Sequence, residues 1–151
     1  MDLTLTARHR ELRDGVETFI ARHRDRSPRP GGGRKRPDRK ALEWQALLLE
    51  HRYFARTIPR AYGGFGAAPD VIEAAVIADA FSRAGVSPGI MNQGISMLVP
   101  TLLEVGTEEQ RQRWIGPTIR GEMMWCQGYS EPGSGSDLAS VQTRATVEDG
   151  Q

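Results

Sequence analysis

The chain has 151 residues, 38% of them hydrophobic, and a formal net charge of +1, which is enough for one modest core and gives no general electrostatic footprint for nucleic acid. No apolar run approaches the roughly 18 residues that span a bilayer, and the chain does not open with the basic region of a signal peptide. The single cysteine cannot form an internal disulfide, so a reducing, cytoplasmic setting is the simplest expectation.

Hydrophobic spacing predicts helices over most of the first 121 residues. A stripe at three- and four-residue steps predicts a first helix from about Thr4 to Arg24, and the same spacing resumes from Ala41 to His51. Residues 26–40 between them combine prolines, consecutive glycines and basic side chains, so they are predicted to form a flexible connection. Such a basic run could contact nucleic acid or acidic lipid, but a solvated loop is its commoner meaning.

Two further helical segments follow, and prolines mark their limits. Pro69 suits the first turn of a third helix, which is predicted to end near Gly85. A fourth apolar segment runs from about residue 88 to residue 105. Pro100 removes a helical hydrogen bond within it, so a kink or break is predicted there.

The hydrophobic period changes after the fifth helix. Thr107 and Gln110 have capping-box spacing and predict that this helix starts at residue 108, with Pro117 disrupting it later. Residues 122–128 and 141–147 instead alternate between apolar and polar side chains, which predicts two strands.

The last residues predict a domain that continues past this chain. Asp149-Gly150 is a strong signal for a tight hairpin, and a strand should follow it. Because two strands do not make a stable sheet, the sequence is interpreted as an N-terminal fragment. The expected organisation is an all-α domain at residues 1–121 and the beginning of a truncated β-domain at residues 122–151.

The loop between the two predicted strands carries most of the functional signal. Glycines there lack a Cβ, so hydroxyl groups and backbone amides could approach a ligand closely. An ordinary turn uses the same residue types, so composition leaves a turn and a ligand loop both open. Spacing excludes a dinucleotide fingerprint and a nucleophile elbow. The residues concerned are Ser130, Gly133, Ser134, Gly135 and Ser136.

A family resemblance favours the ligand loop. The string CQGYSEPGSGSD at residues 126–137, with VGTEEQ at 105–110 and IRGE at 119–122, resembles the flavin-dependent acyl-CoA dehydrogenases, especially actinobacterial members. The stretch IPRAYGGFG at residues 58–66 looks like that family's loop between its early helices. The resemblance implies a mainly α fold: the family's N-terminal helical domain, followed by the first strands of its barrel-like middle β-domain.

The resemblance also implies which residues bind ligands. Ser130 stands where the family more often has threonine, and it keeps the donor and acceptor that would bond the flavin ring. Ser136 is implied to contact both FAD and acyl-CoA, although outside the family it would suit a turn or cap. Met97 and Leu98 lie in the helix that borders the acyl pocket in the family. The complete set implied for FAD is Gln127, Gly128, Tyr129, Ser130, Gly133, Ser134, Gly135 and Ser136.

The chemistry implied is α,β-dehydrogenation of an acyl-CoA thioester, with FAD accepting a hydride, in lipid and fatty-acid metabolism. The base is a glutamate of the C-terminal domain in most members, so no catalytic residue is expected in this chain, and the chain alone is expected to be inactive. Glu131 is implied to have a structural role. No metal site is expected, because His9, His23 and His51 lack ligand spacing.

Partners are likewise implied by the family: an acyl-CoA substrate, an electron-transferring flavoprotein or similar acceptor, and a homotetramer or heteromer when full length. Two alternatives stay open. Flavin monooxygenases and nitroalkane oxidases share the architecture, and a degraded copy could serve as a non-catalytic interaction module. The identity of the acyl chain is not predicted.

Overall fold

The computed structural model describes residues 5–29 and 36–147, and this part of the chain is mainly helical. A π-helical turn lies at Gly94–Leu98, and 3₁₀ turns lie at Arg24–Arg26, Arg60–Tyr62 and Leu138–Ser140. The mainly α fold expected from the sequence is confirmed. The α-helices are α1 (Ala7–His23), α2 (Arg39–Glu50), α3 (Val71–Ala84), α4 (Val99–Val105) and α5 (Glu108–Ile119).

Side-chain caps set where the helices begin. The predicted capping box of α5 is present: the Gln110 N–H donates to Thr107 Oγ1 at 3.2 Å, and the Thr107 N–H donates to Gln110 Oε1 at 2.9 Å. The prediction for Pro69 was wrong, because α3 begins only after Asp70. The Asp70 carboxylate accepts from the N–H groups of both Ile72 and Glu73, so Asp70 is the N-cap and Pro69 lies just before the helix.

Pro100 and Pro117 disturb their helices less than the sequence predicted. The helix α5 continues through Pro117, whose carbonyl accepts from the N–H of Glu122 at 3.0 Å, while Gly121 at φ +75° closes the helix end. Because Pro117 lies in the last turn, it disturbs only the helix end. Pro100 marks a change of helix type, since the π turn leads directly into α4 through the bond from the Val99 N–H to the Gly94 carbonyl.

The core lies where α1, which packs along α3, meets α2. Phe19 of α1 is 4% exposed and contacts the rings of Trp44, Tyr53 and Phe81 at centroid distances of 5.6, 4.9 and 6.3 Å. Tilted and edge-to-face rings of this kind add to the hydrophobic burial. The other side of the bundle is filled by Val99, Ile115 and Ile119, each at most 1% exposed.

A buried glutamine joins three parts of the fold. Gln45 of α2 is fully buried, and its Nε2 donates to the Ile119 carbonyl at the end of α5 at 2.6 Å. Its Oε1 accepts from the Ile90 N–H at 2.8 Å, in the loop before the π turn. One side chain therefore satisfies two otherwise unpaired backbone groups and fixes the π turn against α5.

The two predicted strands are absent from the described residues. Residues 122–130 and 141–147 form no ladder there, and one isolated antiparallel bridge pairs Glu131 with Ser134. A strand requires paired backbone groups, whereas the N–H groups of Gln142 and Thr143 instead donate to the Glu131 carboxylate. The Asp149-Gly150 turn lies outside the described residues, and the division at residues 121 and 122 stays a prediction.

The predicted connection at residues 26–40 is anchored in the part that the structure describes. Ser27 Oγ accepts from the Ser87 N–H at 2.9 Å, which ties the start of the connection to the residues after α3. Asp38 then caps α2 by accepting from the Ala41 N–H at 2.8 Å. The helix begins two residues earlier than predicted, because that cap lies within the basic run.

Candidate functional site

Trp125 holds the chain after α5 against the π turn. Its Nε1 donates to Thr118 Oγ1 at 2.9 Å, and the Thr118 hydroxyl donates in turn to the Trp114 carbonyl at 2.6 Å. The rings of Trp114 and Trp125 meet edge to face at 5.7 Å. A Cβ on Gly94 would lie 2.3 Å from Trp125 Cδ1, so this approach requires glycine in the π turn.

A second contact connects the predicted cofactor residues with the π turn. Gln93 Nε2 donates to Gln127 Oε1 at 3.0 Å, immediately before the turn that carries Met97 and Leu98. Met97 is 41% exposed, so it is not a core methionine, whereas Leu98 packs partly buried against the core. The structure thus brings the start of the predicted flavin segment to the element that bears the predicted acyl-pocket residues.

The loop after Gln127 is held in shape by its own polar groups. The Glu131 N–H donates to the Ser134 carbonyl at 2.8 Å, and the Ser134 N–H donates back at 3.2 Å. The Ser134 hydroxyl donates to the Asp137 carbonyl at 2.8 Å, and Ser134 is only 5% exposed. Its side chain therefore stabilises the loop and is largely shielded from solvent, and its predicted contact with FAD stays a prediction.

Ser130, Ser136 and Tyr129 are exposed around that loop. Among the described residues, the hydroxyls of Ser130 and Ser136 form no hydrogen bond, and Tyr129 is 76% exposed. Open space lies where Gly128 and Gly133 would carry a Cβ. Accessible hydroxyls and uncrowded backbone amides fit a ligand with carbonyl and imide groups along one edge, as a flavin has.

Glu131 is engaged as a structural carboxylate. The Thr143 hydroxyl and the N–H groups of Thr143 and Gln142 donate to it, and these bonds lower the pKa of the Glu131 carboxyl below its usual value. A carboxylate held in its charged form by three donors is a poor proton acceptor. The arrangement agrees with the structural role that the family resemblance implied. A cleft of about 530 Å³ lies beside it, lined by Glu131, Pro132, Gly133, Ser140, Gln142 and Thr143.

Sequence reasoning missed the residues that position this segment. Trp125 lies in the segment predicted to be a strand, and Gln93 and Gly94 carried no signal in the helical pattern. Their roles depend on contacts between distant parts of the chain. The part of the chain that the structure describes contains no group of three or more His, Cys, Asp or Glu residues suited to a metal ion. None of its helices has the length and apolar character needed to cross a bilayer.

The described residues thus form a helical domain in which Trp125 and Gln127 contact Gly94 and Gln93 and lead into a glycine- and serine-rich loop. The protein-family model for the acyl-CoA dehydrogenase N-terminal domain matches residues 6–122, which is most of the chain. The chain therefore belongs to the acyl-CoA dehydrogenase family.

Similar proteins support this assignment and show how little of their length the chain covers. Acyl-CoA dehydrogenase FadE34 of Mycobacterium tuberculosis is 59% identical over 51 residues, which are 34% of this chain and 7% of that protein. The solved Tcur3481-Tcur3483 steroid ACAD matches with a TM-score of 0.65 and 30% identity, covering 95% of this chain and 37% of that one. The ChsE4-ChsE5 complex from Mycobacterium tuberculosis matches at 0.63 and 26%, covering 95% and 35%.

Proposed function

We propose that this chain is the N-terminal region of a flavin-dependent acyl-CoA dehydrogenase that introduces an α,β double bond into an acyl-CoA thioester. When bound, FAD would supply the hydride acceptor, and the thioester would make the α-proton acidic. Membership of the family supports the reaction class. The observation that carries the assignment of the site is the contact between Gln127 and Gln93, because it joins the loop proposed for FAD to the turn proposed for the acyl group.

Each candidate residue is proposed to have a separate role in the site. The hydroxyl of Ser130 and the backbone amides of residues 127–130 would bond the flavin ring, since they are exposed and free of partners among the described residues. Ser136 would contact both FAD and acyl-CoA. Ser134 and Glu131 would keep the loop open by bonding within it. Met97 and Leu98 would line the acyl pocket.

The proton acceptor is proposed to lie outside this chain. Among the described residues of the candidate site, Glu131 is the carboxylate at the centre of the loop, and its donors hold it charged. The chain alone is therefore proposed to be inactive, and the missing base would belong to the complete protein. We place that protein in the cytoplasm, with an electron-transferring flavoprotein or similar acceptor receiving the electrons.

The assembly is proposed to be a homotetramer or a heteromer. Two of the similar solved structures are named for two proteins each, the Tcur3481-Tcur3483 steroid ACAD and the ChsE4-ChsE5 complex. This favours the heteromeric form. A steroid-derived thioester is accordingly the first substrate to test, beside straight-chain thioesters.

The test is anaerobic titration of the complete protein that contains this chain with a panel of acyl-CoA thioesters, followed by visible absorption. Bound flavin that bleaches with a thioester is the expected result, and the chain length or ring system that bleaches it fastest identifies the substrate class. Bound flavin that no thioester bleaches would favour an oxidase or monooxygenase of the same fold. A folded protein without flavin would contradict the proposal.

A further inference from the structure

Three arginines lie around one aromatic ring in the loop between α2 and α3. The guanidinium carbons of Arg52, Arg56 and Arg60 lie 4.6, 5.6 and 5.5 Å from the centroid of Phe65. Stacking on a ring orders a guanidinium while leaving its N–H groups available. These four residues are called the Phe65 cluster below.

The cluster is positively charged even after its ion pairs are considered. Arg56 pairs with the buried carboxylate of Glu73 at 2.5 Å, and Arg8 pairs with the other oxygen of the same carboxylate at 2.5 Å. Within the described residues, Arg52 and Arg60 form no salt bridge, and the Arg60 Nε donates only to the Phe65 carbonyl. The carboxylate of Glu73 thus pairs with Arg56 and Arg8, while Arg52 and Arg60 keep most of their donors free.

Arg52 occupies a backbone position that favours glycine. It follows α2 with φ +64°, and the bonds from the Arg52 N–H to the Leu49 carbonyl and from the Tyr53 N–H to the Leu48 carbonyl close the helix end. Glycine is the usual residue at this position of such a helix end, because side chains are strained at positive φ. An arginine there lowers stability relative to glycine, so its side chain is a candidate for a role outside folding.

The loop that carries the cluster is rigid, and its amides are already used. The N–H groups of Phe65, Gly66 and Ala67 donate to the carbonyls of Ala55, Ile58 and Arg56 at 3.2, 2.8 and 2.8 Å. The convergent backbone N–H groups on which a nest-type phosphate site draws are therefore not free here. What remains is a preorganised surface of planar, forked donors, which suits carboxylates presented by another protein.

We propose that the Phe65 cluster is a docking surface for an acidic segment of a partner protein. Arg52 and Arg60 bind the partner's carboxylates, while Arg56, fixed by Glu73, keeps the ring and its neighbours in place. The proposal is independent of the flavin site and of the reaction assigned to it.

Binding of a fluorescein-labelled octaglutamate peptide to the complete protein that contains this chain, followed by anisotropy at low salt, tests the proposal. The double variant Arg52→Ala/Arg60→Ala is expected to weaken binding about ten-fold or more. The control Arg24→Ala/Arg113→Ala removes the same charge from exposed sites outside the cluster, including the arginine that stacks on Trp114 at 4.4 Å. It is expected to weaken binding less than about two-fold. Equal losses in both variants would overturn the proposal.

Arg52→Gly separates docking from folding. It relieves the positive-φ strain, so thermal unfolding should move to higher temperature while peptide binding weakens several-fold. If this variant instead lowers the unfolding temperature, Arg52 serves the fold and the proposal fails. It also fails if inorganic phosphate at matched ionic strength displaces the peptide, or if anionic vesicles bind at the cluster in preference to it.

Discussion

At the scale of single residues, Gln45 has the clearest structural role. Its amide is fully buried and bonds the Ile119 carbonyl and the Ile90 N–H. Gln45→Leu keeps the volume but leaves both backbone groups unpaired, so the free energy of unfolding should fall by about 2–4 kcal/mol. Urea denaturation measures this change in the free energy of unfolding. Gln112→Leu, at an exposed glutamine of α5, should change stability by less than about 0.5 kcal/mol, and equal losses would contradict the role given to Gln45.

Glu131 provides a residue-scale prediction that depends on pH. The Thr143 hydroxyl, followed by the Gln142 and Thr143 N–H groups, holds the pKa of its carboxyl below the usual value. A depressed carboxyl pKa stabilises the loop at neutral pH, and that contribution is lost as the pH falls through the folded-state pKa.

The amide NMR shifts of Gln142 and Thr143 report this titration directly. Their common midpoint should lie below about 4.3, the ordinary value for glutamate. In Glu131→Gln the same two amides should show no such transition. A midpoint at or above the ordinary value would mean that the three hydrogen bonds do not form in solution.

At the scale of elements, the π turn at Gly94–Leu98 organises the candidate site. Gly94→Ala would place a methyl group 2.3 Å from Trp125 Cδ1 and 2.8 Å from Thr118 Cγ2. Trp125 must then move, so stability should fall by about 1–3 kcal/mol and tryptophan emission should shift to the red. The control Gly15→Ala, in α1, has only an ordinary contact at 3.6 Å to the Tyr53 hydroxyl and should be neutral or stabilising. A Gly94→Ala protein with unchanged emission would show that Trp125 does not dock there.

The elements also show what sequence can and cannot predict. The start of α5 at Glu108 and the end of α3 near Gly85 were predicted correctly, because cap chemistry acts within a few residues. Pro117 was expected to disrupt α5, but its effect depends on how the helix end closes around Gly121. The strand pattern at residues 122–128 reflects alternating side chains, whereas the structure uses two of them, Trp125 and Gln127, to contact Gly94 and Gln93.

The candidate site likewise contains residues that the sequence identified and residues that it missed. Ser130 and Ser136 were identified through the resemblance, and both are exposed in the loop. Ser134 belonged to the same motif, yet its hydroxyl is occupied by the Asp137 carbonyl. Gln93 and Trp125 lie 34 and 7 residues from the Gln127 and Thr118 side chains that they contact, and contacts of this kind leave no periodic signal in the sequence.

At the scale of the whole molecule, the helical bundle presents two separate surfaces. Gln45 and Trp125 fix α5, the π turn and the segment proposed for FAD against one another, so the proposed site depends on the packed bundle. The Phe65 cluster lies in the loop between α2 and α3 and is ordered by its own hydrogen bonds. Substitutions in one surface should therefore leave the other intact, and their effects on stability should add.

The dissociation constant of FAD from the complete protein that contains this chain tests the proposed flavin site most directly. Ser130→Ala/Ser136→Ala removes two exposed hydroxyls without touching the bonds that shape the loop, so FAD binding should weaken about ten-fold or more. Ser82→Ala, at an exposed serine of α3, should leave the constant unchanged. If the double variant binds FAD as tightly as the Ser82→Ala protein, the loop at residues 127–136 does not hold the flavin, and the proposed site is wrong.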